Sequence, residues 1–148
     1  MAVEWTPELT VNDDLLDRHH VELFRALGRA AEAVEGGRDV EARAAVAAFA
    51  DAFVEHVAVE EALMEETLWP ERGRHRVAHE LFGADLLRMR EELGRAGATP
   101  AVAEWASVRA PEWLRFHIRT NDAPFAAHLA RRRQAGPGRA LRRESKRH

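Results

Sequence analysis

The chain has 148 residues, enough for one domain that buries most of its own surface. It contains no cysteine, which excludes disulfides, zinc–thiolate sites, iron–sulfur clusters and thiol catalysis, and leaves the chain safe in a reducing cytoplasm. The net charge of −3 is unevenly spread: residues 131–148 carry eight Arg or Lys against the single acid Glu144, so the preceding 130 residues sum to −10.

Met1 to Pro7 hold no apolar signal core, and no apolar run approaches the ~20 residues of a membrane span, so the expectation is a soluble, cytoplasmic protein without membrane insertion. From Met1 to about Asn12 the pattern alternates and reads as an extended lead-in. Asn12 or Asp13 caps a first helix that runs to the stop at Gly36-Gly37, with the stripe Leu16, His20, Leu23, Leu27, Ala31, Val34. A second helix is predicted from about Val40 to Leu68, with the stripe Val46, Phe49, Phe53, His56, Glu60, Leu63, Thr67. A third runs from near Arg74 to near Gly94, with His75, His79, Phe82, Leu86, Met89 and Leu93 on one face.

Thr99-Pro100 is a cap followed by proline at the first helical position, and it opens a fourth stretch containing Trp105, Val108, Trp113, Leu114 and His117. Pro111 predicts a kink there or two shorter helices, and Pro124 predicts fraying near Asn121-Asp122. Beyond Arg133, Gln134-Ala135-Gly136-Pro137-Gly138 breaks any helix. The expected fold is all-α: an antiparallel up-down-up-down four-helix bundle over residues 1–130, then a basic, disordered or weakly helical tail at 131–148.

Histidines and a glutamate stand in these stripes where leucine or phenylalanine would serve, and burying them is costly unless something satisfies them. The candidate metal ligands are His20, His56, Glu60, His75, His79, His117 and Asp122. His56 and Glu60 are four residues apart, as are His75 and His79, so each pair projects from one helix face. Seven donors are too many for one ion and match two. A lone buried histidine is usually a hydrogen-bonded core residue; five in register with two acids are not.

His128 and His148 lie outside the pattern and are given no role, and the four tryptophans, Trp5, Trp69, Trp105 and Trp113, read as packing. Glu61, Glu65 and Glu66 read as a solvated face, and Met64 as core filling near the metals. The tail lacks aromatic interleaving and any base-reading motif, so a solvated end is favoured over nucleic-acid binding, and no protein partner is indicated.

The stretches Leu16-Asp17-Arg18-His19-His20-Val21-Glu22-Leu23-Phe24, His56 with Glu60-Glu61 and Met64, His75-x-x-x-His79-x-x-Phe82, and Trp113-Leu114-x-x-His117-Ile118 followed by Asp122 resemble the hemerythrins, specifically the single-domain bacterial ones. The resemblance runs from about Trp5 to Asp122. It implies a non-haem di-iron centre bridged by Glu60, Asp122 and a solvent-derived oxo or hydroxo group. His75, His79 and His117 would complete one iron; His20 and His56 would hold the other, leaving it one ligand short for dioxygen. Leu114 would lie over the oxygen pocket, with Trp113 and Ile118 as further lining residues. Two departures stand out: His19 where the family commonly has glutamine, and Ala123-Pro124 after Asp122 where it commonly has lysine. On an ideal helix Asp122 would also point about 140° away from His117, at ~100° per residue, so its ligation requires a distorted or ending helix.

No Glu-x-x-His occurs, which excludes the ferritin-like di-iron oxidases, and the His-Glu-x-x-His zinc-protease signature is absent. The expected function is reversible dioxygen binding for carriage, storage or local supply. Oxygen or redox sensing, and a di-iron enzyme handling peroxide or nitric oxide, are the alternatives. Apolar pocket residues favour binding over catalysis, and 148 residues leave little room for a sensor's output domain.

Overall fold

The structure, a computed structural model, describes residues 3–135, and every regular element among them is helical. The lead-in is not fully extended: Pro7, with its fixed φ, starts a 3₁₀ turn at Pro7–Leu9 that buries Leu9. Asp17 ties this arm down, accepting from Val11 N at 2.9 Å and Thr10 Oγ1 at 2.7 Å.

Helix α1 spans Asp14–Glu35. Of the two expected caps, Asp13 is the one used: its Oδ1 accepts from Leu16 N at 3.0 Å, while Asn12 sits outside at φ 58°. The expected stripe of α1, from Leu16 to Val34, is buried throughout. Helix α2 spans Asp39–Glu66 and α3 spans Arg72–Ala96. On α2 the buried line continues from Glu60 to Met64, keeping the 3.6-residue period; Leu63 and Thr67, expected on that line, are only half-buried. Met89 on α3 is likewise half-buried. Gly97 turns the chain out of α3 at φ 77°, and a Cβ there would stand 2.6 Å from Asp39 Oδ2, the carboxylate that also accepts from Ala98 N.

The fourth rod is divided into shorter helices before Pro111, as expected, but it runs on through Pro124 instead of fraying. It consists of α4 (Pro100–Glu104), α5 (Ala110–His117) and α6 (Ala123–Ala135), joined by π-helical turns at Trp105–Arg109 and Ile118–Asp122. Thr99 caps it through Val102 N, as expected. Neither proline breaks it. Ala110 N and Ala123 N reach back five residues, to Trp105 O and Ile118 O, and each is followed at once by proline, Pro111 or Pro124. A π turn displaces the carbonyl that a proline ring would strike, so the rod bends its hydrogen-bond ladder instead of ending. The extra residue rotates Val108 to the surface and leaves Val102 and Ala106 buried in its place. The rod does not fray at Asn121-Asp122, which lie in the second π turn, and α6 continues past Arg133 through Ala135. The rest of the basic tail, with His148, lies outside the described residues.

Cross-links between rod ends establish the antiparallel order. Ser107 near the start of the fourth rod donates to Glu35 at the end of α1, and Arg133 near its end pairs with Asp13 at 2.6 Å. His128 meets Thr67 O at 2.9 Å, placing the middle of α6 beside the end of α2. In the core the polar belt lies between a larger apolar part and a smaller one formed by Leu16, Met64, Phe125 and Leu129. In the larger apolar part Phe82 stacks on Trp113 (centroids 4.3 Å) and on Trp105 (6.1 Å), with Phe49 and Phe53 edge-on or tilted. Among the described residues no helix is long and apolar enough to cross a membrane.

Candidate metal centre

One turn beyond the aromatic layer, each rod contributes to the polar belt. α1 supplies His20, α2 supplies His56 and Glu60, α3 supplies His75 and His79, and the fourth rod supplies His117 and Asp122. All seven side chains are buried. Every histidine turns Nε2 inward. Glu60 Oε1 faces His75 Nε2 at 2.5 Å and His79 Nε2 at 3.1 Å, whereas its Oε2 faces His56 Nε2 at 3.3 Å. Asp122 Oδ1 faces His75 and His117 Nε2 at 3.0 and 3.2 Å, and its Oδ2 faces His20 Nε2 at 2.9 Å. Each carboxylate therefore divides its oxygens between two histidine groups. The seven fall into two overlapping sets, Glu60, His75, His79, His117, Asp122 and His20, His56, Glu60, Asp122, with the donor atoms of each set within 4.8 Å of one another.

The π turn at Ile118–Asp122 brings Asp122 into both sets. A turn closed over five residues takes in one more residue than an α turn, so residues five apart return nearly to the same side. The displacement from His117 expected on an ideal helix is thereby removed. The helix is distorted rather than ended.

Despite their closeness, most of these inward atoms are not aligned as hydrogen bonds. Both oxygens of Glu60 and Asp122, and Nε2 of His20, His75, His79 and His117, are buried without a hydrogen-bond partner. Native interiors seldom leave such groups unmet. Imidazole nitrogens and carboxylate oxygens converging on shared points form a donor set suited to transition-metal ions, and the residues fit such a centre.

Without a cation the cluster balances itself with protons. Burial pulls the His75 imidazole down, yet Asp122 and Glu60 outweigh it and lift it to about 9. His20 is raised in the same way, burial being overcome chiefly by Asp122. For His117 burial wins over Asp122, and its value is lowered. Burial and the Asp122 charge would raise Glu60, but His56 and His75 hold its carboxyl below the usual range. Burial would also raise Asp122; His117, His20 and His75 keep it low.

Outside the belt, His79 Nδ1 meets Glu61 Oε2 at 2.9 Å, and Arg76 holds Glu61 in turn at 3.3 Å. Glu61 is thus not merely part of a solvated face, as its position beside Glu60 had implied. It lies on α2 while its histidine lies on α3, so only the packing of the two helices reveals the pairing. His19 Nδ1 approaches His56 Nδ1 at 3.1 Å. Trp113 stacks on His117 at 4.5 Å and 10°, Leu114 is buried one turn before His117, and Ile118 is buried directly after it. His128 packs on Trp69 at 4.9 Å, away from the belt.

Comparison with known proteins agrees with this architecture. The hemerythrin HHE cation binding domain family model matches residues 11–129. A bacteriohemerythrin of Stenotrophomonas maltophilia is 32% identical over 152 aligned positions, covering 94% of this chain and 95% of the relative. The bacteriohemerythrin of Pseudomonas aeruginosa is 26% identical over 121 positions, covering 82% of this chain and 77% of its own. A four-rod bundle with a buried belt of histidines and carboxylates, a family match over most of the chain, and a relative similar along nearly its whole length lead to one conclusion: the chain belongs to the hemerythrin HHE cation-binding domain family.

Proposed function

We propose that this chain holds a non-haem di-iron centre and binds dioxygen reversibly there, for carriage, storage or local supply. His75, His79 and His117 would hold one iron, His20 and His56 the other, with Glu60 and Asp122 shared between them. The observation that carries this reading is the division of each buried carboxylate's oxygens between the two histidine groups. A single ion would leave one group of nitrogens unused, whereas two ions use all of them. When bound, the iron pair would supply the two electrons that dioxygen capture needs; the His20–His56 side offers one histidine fewer than the other.

The chain's own residues would orient and protect. Glu61 anchors the His79 ring through Nδ1, and Trp113 braces the His117 ring by stacking. Leu114 and Ile118, both buried beside His117 in sequence, would keep the pocket dry, which favours release of the gas unchanged over its protonation and loss. These apolar walls favour binding over catalysis.

Anaerobic titration with ferrous salt, followed by optical spectra through alternating air and inert gas, tests the proposal. Two irons per chain and a charge-transfer band that appears and vanishes over repeated cycles are expected. Uptake of one iron or none would overturn the centre; two irons oxidised irreversibly within seconds would overturn the binding role.

A further inference from the structure

Among the described residues, two of the five inward-facing histidines have a partner on Nδ1: His79, which meets Glu61, and His56, which meets His19. The Nδ1 atoms of His20, His75 and His117 have none. The His19–His56 contact joins two Nδ1 atoms 3.1 Å apart, with the rings edge-on at 72°. Two imidazole nitrogens at that distance require one hydrogen and one lone pair between them. Which ring gives the hydrogen depends on what His56 Nε2 meets in the belt, where it lies 3.3 Å from Glu60: facing the carboxylate alone it carries the hydrogen itself, and facing a cation it gives its lone pair.

We propose that His19 is a positioning residue for the metal centre, accepting the Nδ1 hydrogen of His56 so that the His56 ring presents a lone pair inward on Nε2. This rests on the reading that His56 is a ligand: an Nε2 that gives its lone pair to a cation leaves the ring's hydrogen on Nδ1, and His19 Nδ1 receives it. His19 then carries its own hydrogen on Nε2. The His19 ring lies in a surface pocket of about 120 Å³ shared with Glu22, Ala52, Glu55 and His56, which leaves space for a different side chain at position 19. The two rings with outer partners are held differently. His79 leans on a carboxylate, which strengthens a ligand's basicity; His56 leans on a neutral ring, which fixes orientation and tautomer with less added basicity. The two sides of the centre thus differ in outer support as well as in histidine number.

The test compares His19→Gln, whose amide oxygen can accept the same hydrogen, with His19→Leu, which accepts nothing. Ferrous affinity is measured anaerobically by chelator competition, and hydrogen exchange of the His56 ring N–H is followed by proton NMR of histidine-labelled, ferrous-loaded protein. His19→Leu is expected to weaken one of the two sites about 10- to 100-fold and to speed exchange at His56, while His19→Gln restores both. If His19→Leu matched the wild type in both measurements, or His19→Gln failed as His19→Leu does, the proposal would fall while the di-iron reading stood. If wild-type protein took up no ferrous ion, the di-iron reading would fall and this proposal with it. NMR of the ferrous-loaded wild type supplies a further check: a His19 ring bearing its hydrogen on Nδ1 there would overturn the proposal without any variant.

Discussion

Glu60 and Asp122 are carboxylates in a place that water does not reach, and what surrounds them decides what they can do. Removing one should remove the shared donor of both groups: if the chain holds two irons as proposed, Glu60→Ala is expected to lower the content to at most one, measured by elemental analysis. The same change at exposed Glu66 should leave the content unaltered. In metal-free protein the same residues govern the response to pH. His75 is raised from its ordinary 6.5 to about 9, so the stability it contributes is fully present below 6.5 and is lost as pH rises through about 9. The depressed Glu60 and Asp122 act in the opposite direction: their contribution is present above the ordinary carboxylate range and is lost as pH falls below it. Chelator-treated protein should therefore melt at its highest temperature between about pH 5 and 6.5, with the alkaline decline flattened in His75→Gln. Iron uptake at neutral pH should also release protons, detectable with an indicator dye in weak buffer, because the ion replaces the proton on His75.

At the scale of the element, the fourth rod gives the clearest case of local chemistry with a distant consequence. Its two Ala-Pro steps, Ala110-Pro111 and Ala123-Pro124, each follow a π turn, and the second turn swings Asp122 into the belt. The five-residue spacing of His117 and Asp122 showed in the sequence that a regular helix would not suffice. Whether the helix would end or widen was not legible, because a proline excludes the α ladder without choosing its replacement. Helix starts were more legible, since a cap is a local hydrogen bond. Asp13 is both the cap of α1 and the partner of Arg133, so Asp13→Ala is expected to lower unfolding stability by about 1–2 kcal/mol in urea denaturation. Arg133→Ala should cost less, about 1 kcal/mol at most, because its side chain is 60% exposed and the pair is screened.

For the whole molecule, the length of the larger apolar part away from the donor belt predicts that stability and metal content can be changed independently. Leu93, 1% exposed on α3, lies far along the helix from His79. Leu93→Ala should cost about 2–5 kcal/mol through the cavity it leaves. It should still bind iron at the wild-type stoichiometry, and the rise in melting temperature on iron loading should add to its effect rather than interact with it. Calorimetry of wild type and variant, each with and without iron, checks this; a strong coupling between the two changes would count against a divided core.

The amino-acid sequence by itself determined which faces turn inward, where α1 and the fourth rod are capped, and which polar residues interrupt the apolar stripes in each rod. Those properties follow from helical period and from contacts between residues a few positions apart. The tertiary structure alone decided which oxygen of Glu60 or Asp122 meets which histidine, that Glu61 reaches His79, that His19 reaches His56, and that Val108 turns outward. These depend on the axial register of one rod against another and on side-chain rotation within a close-packed interior. A shift of a single residue in register would move each donor away from its partner while leaving every stripe intact.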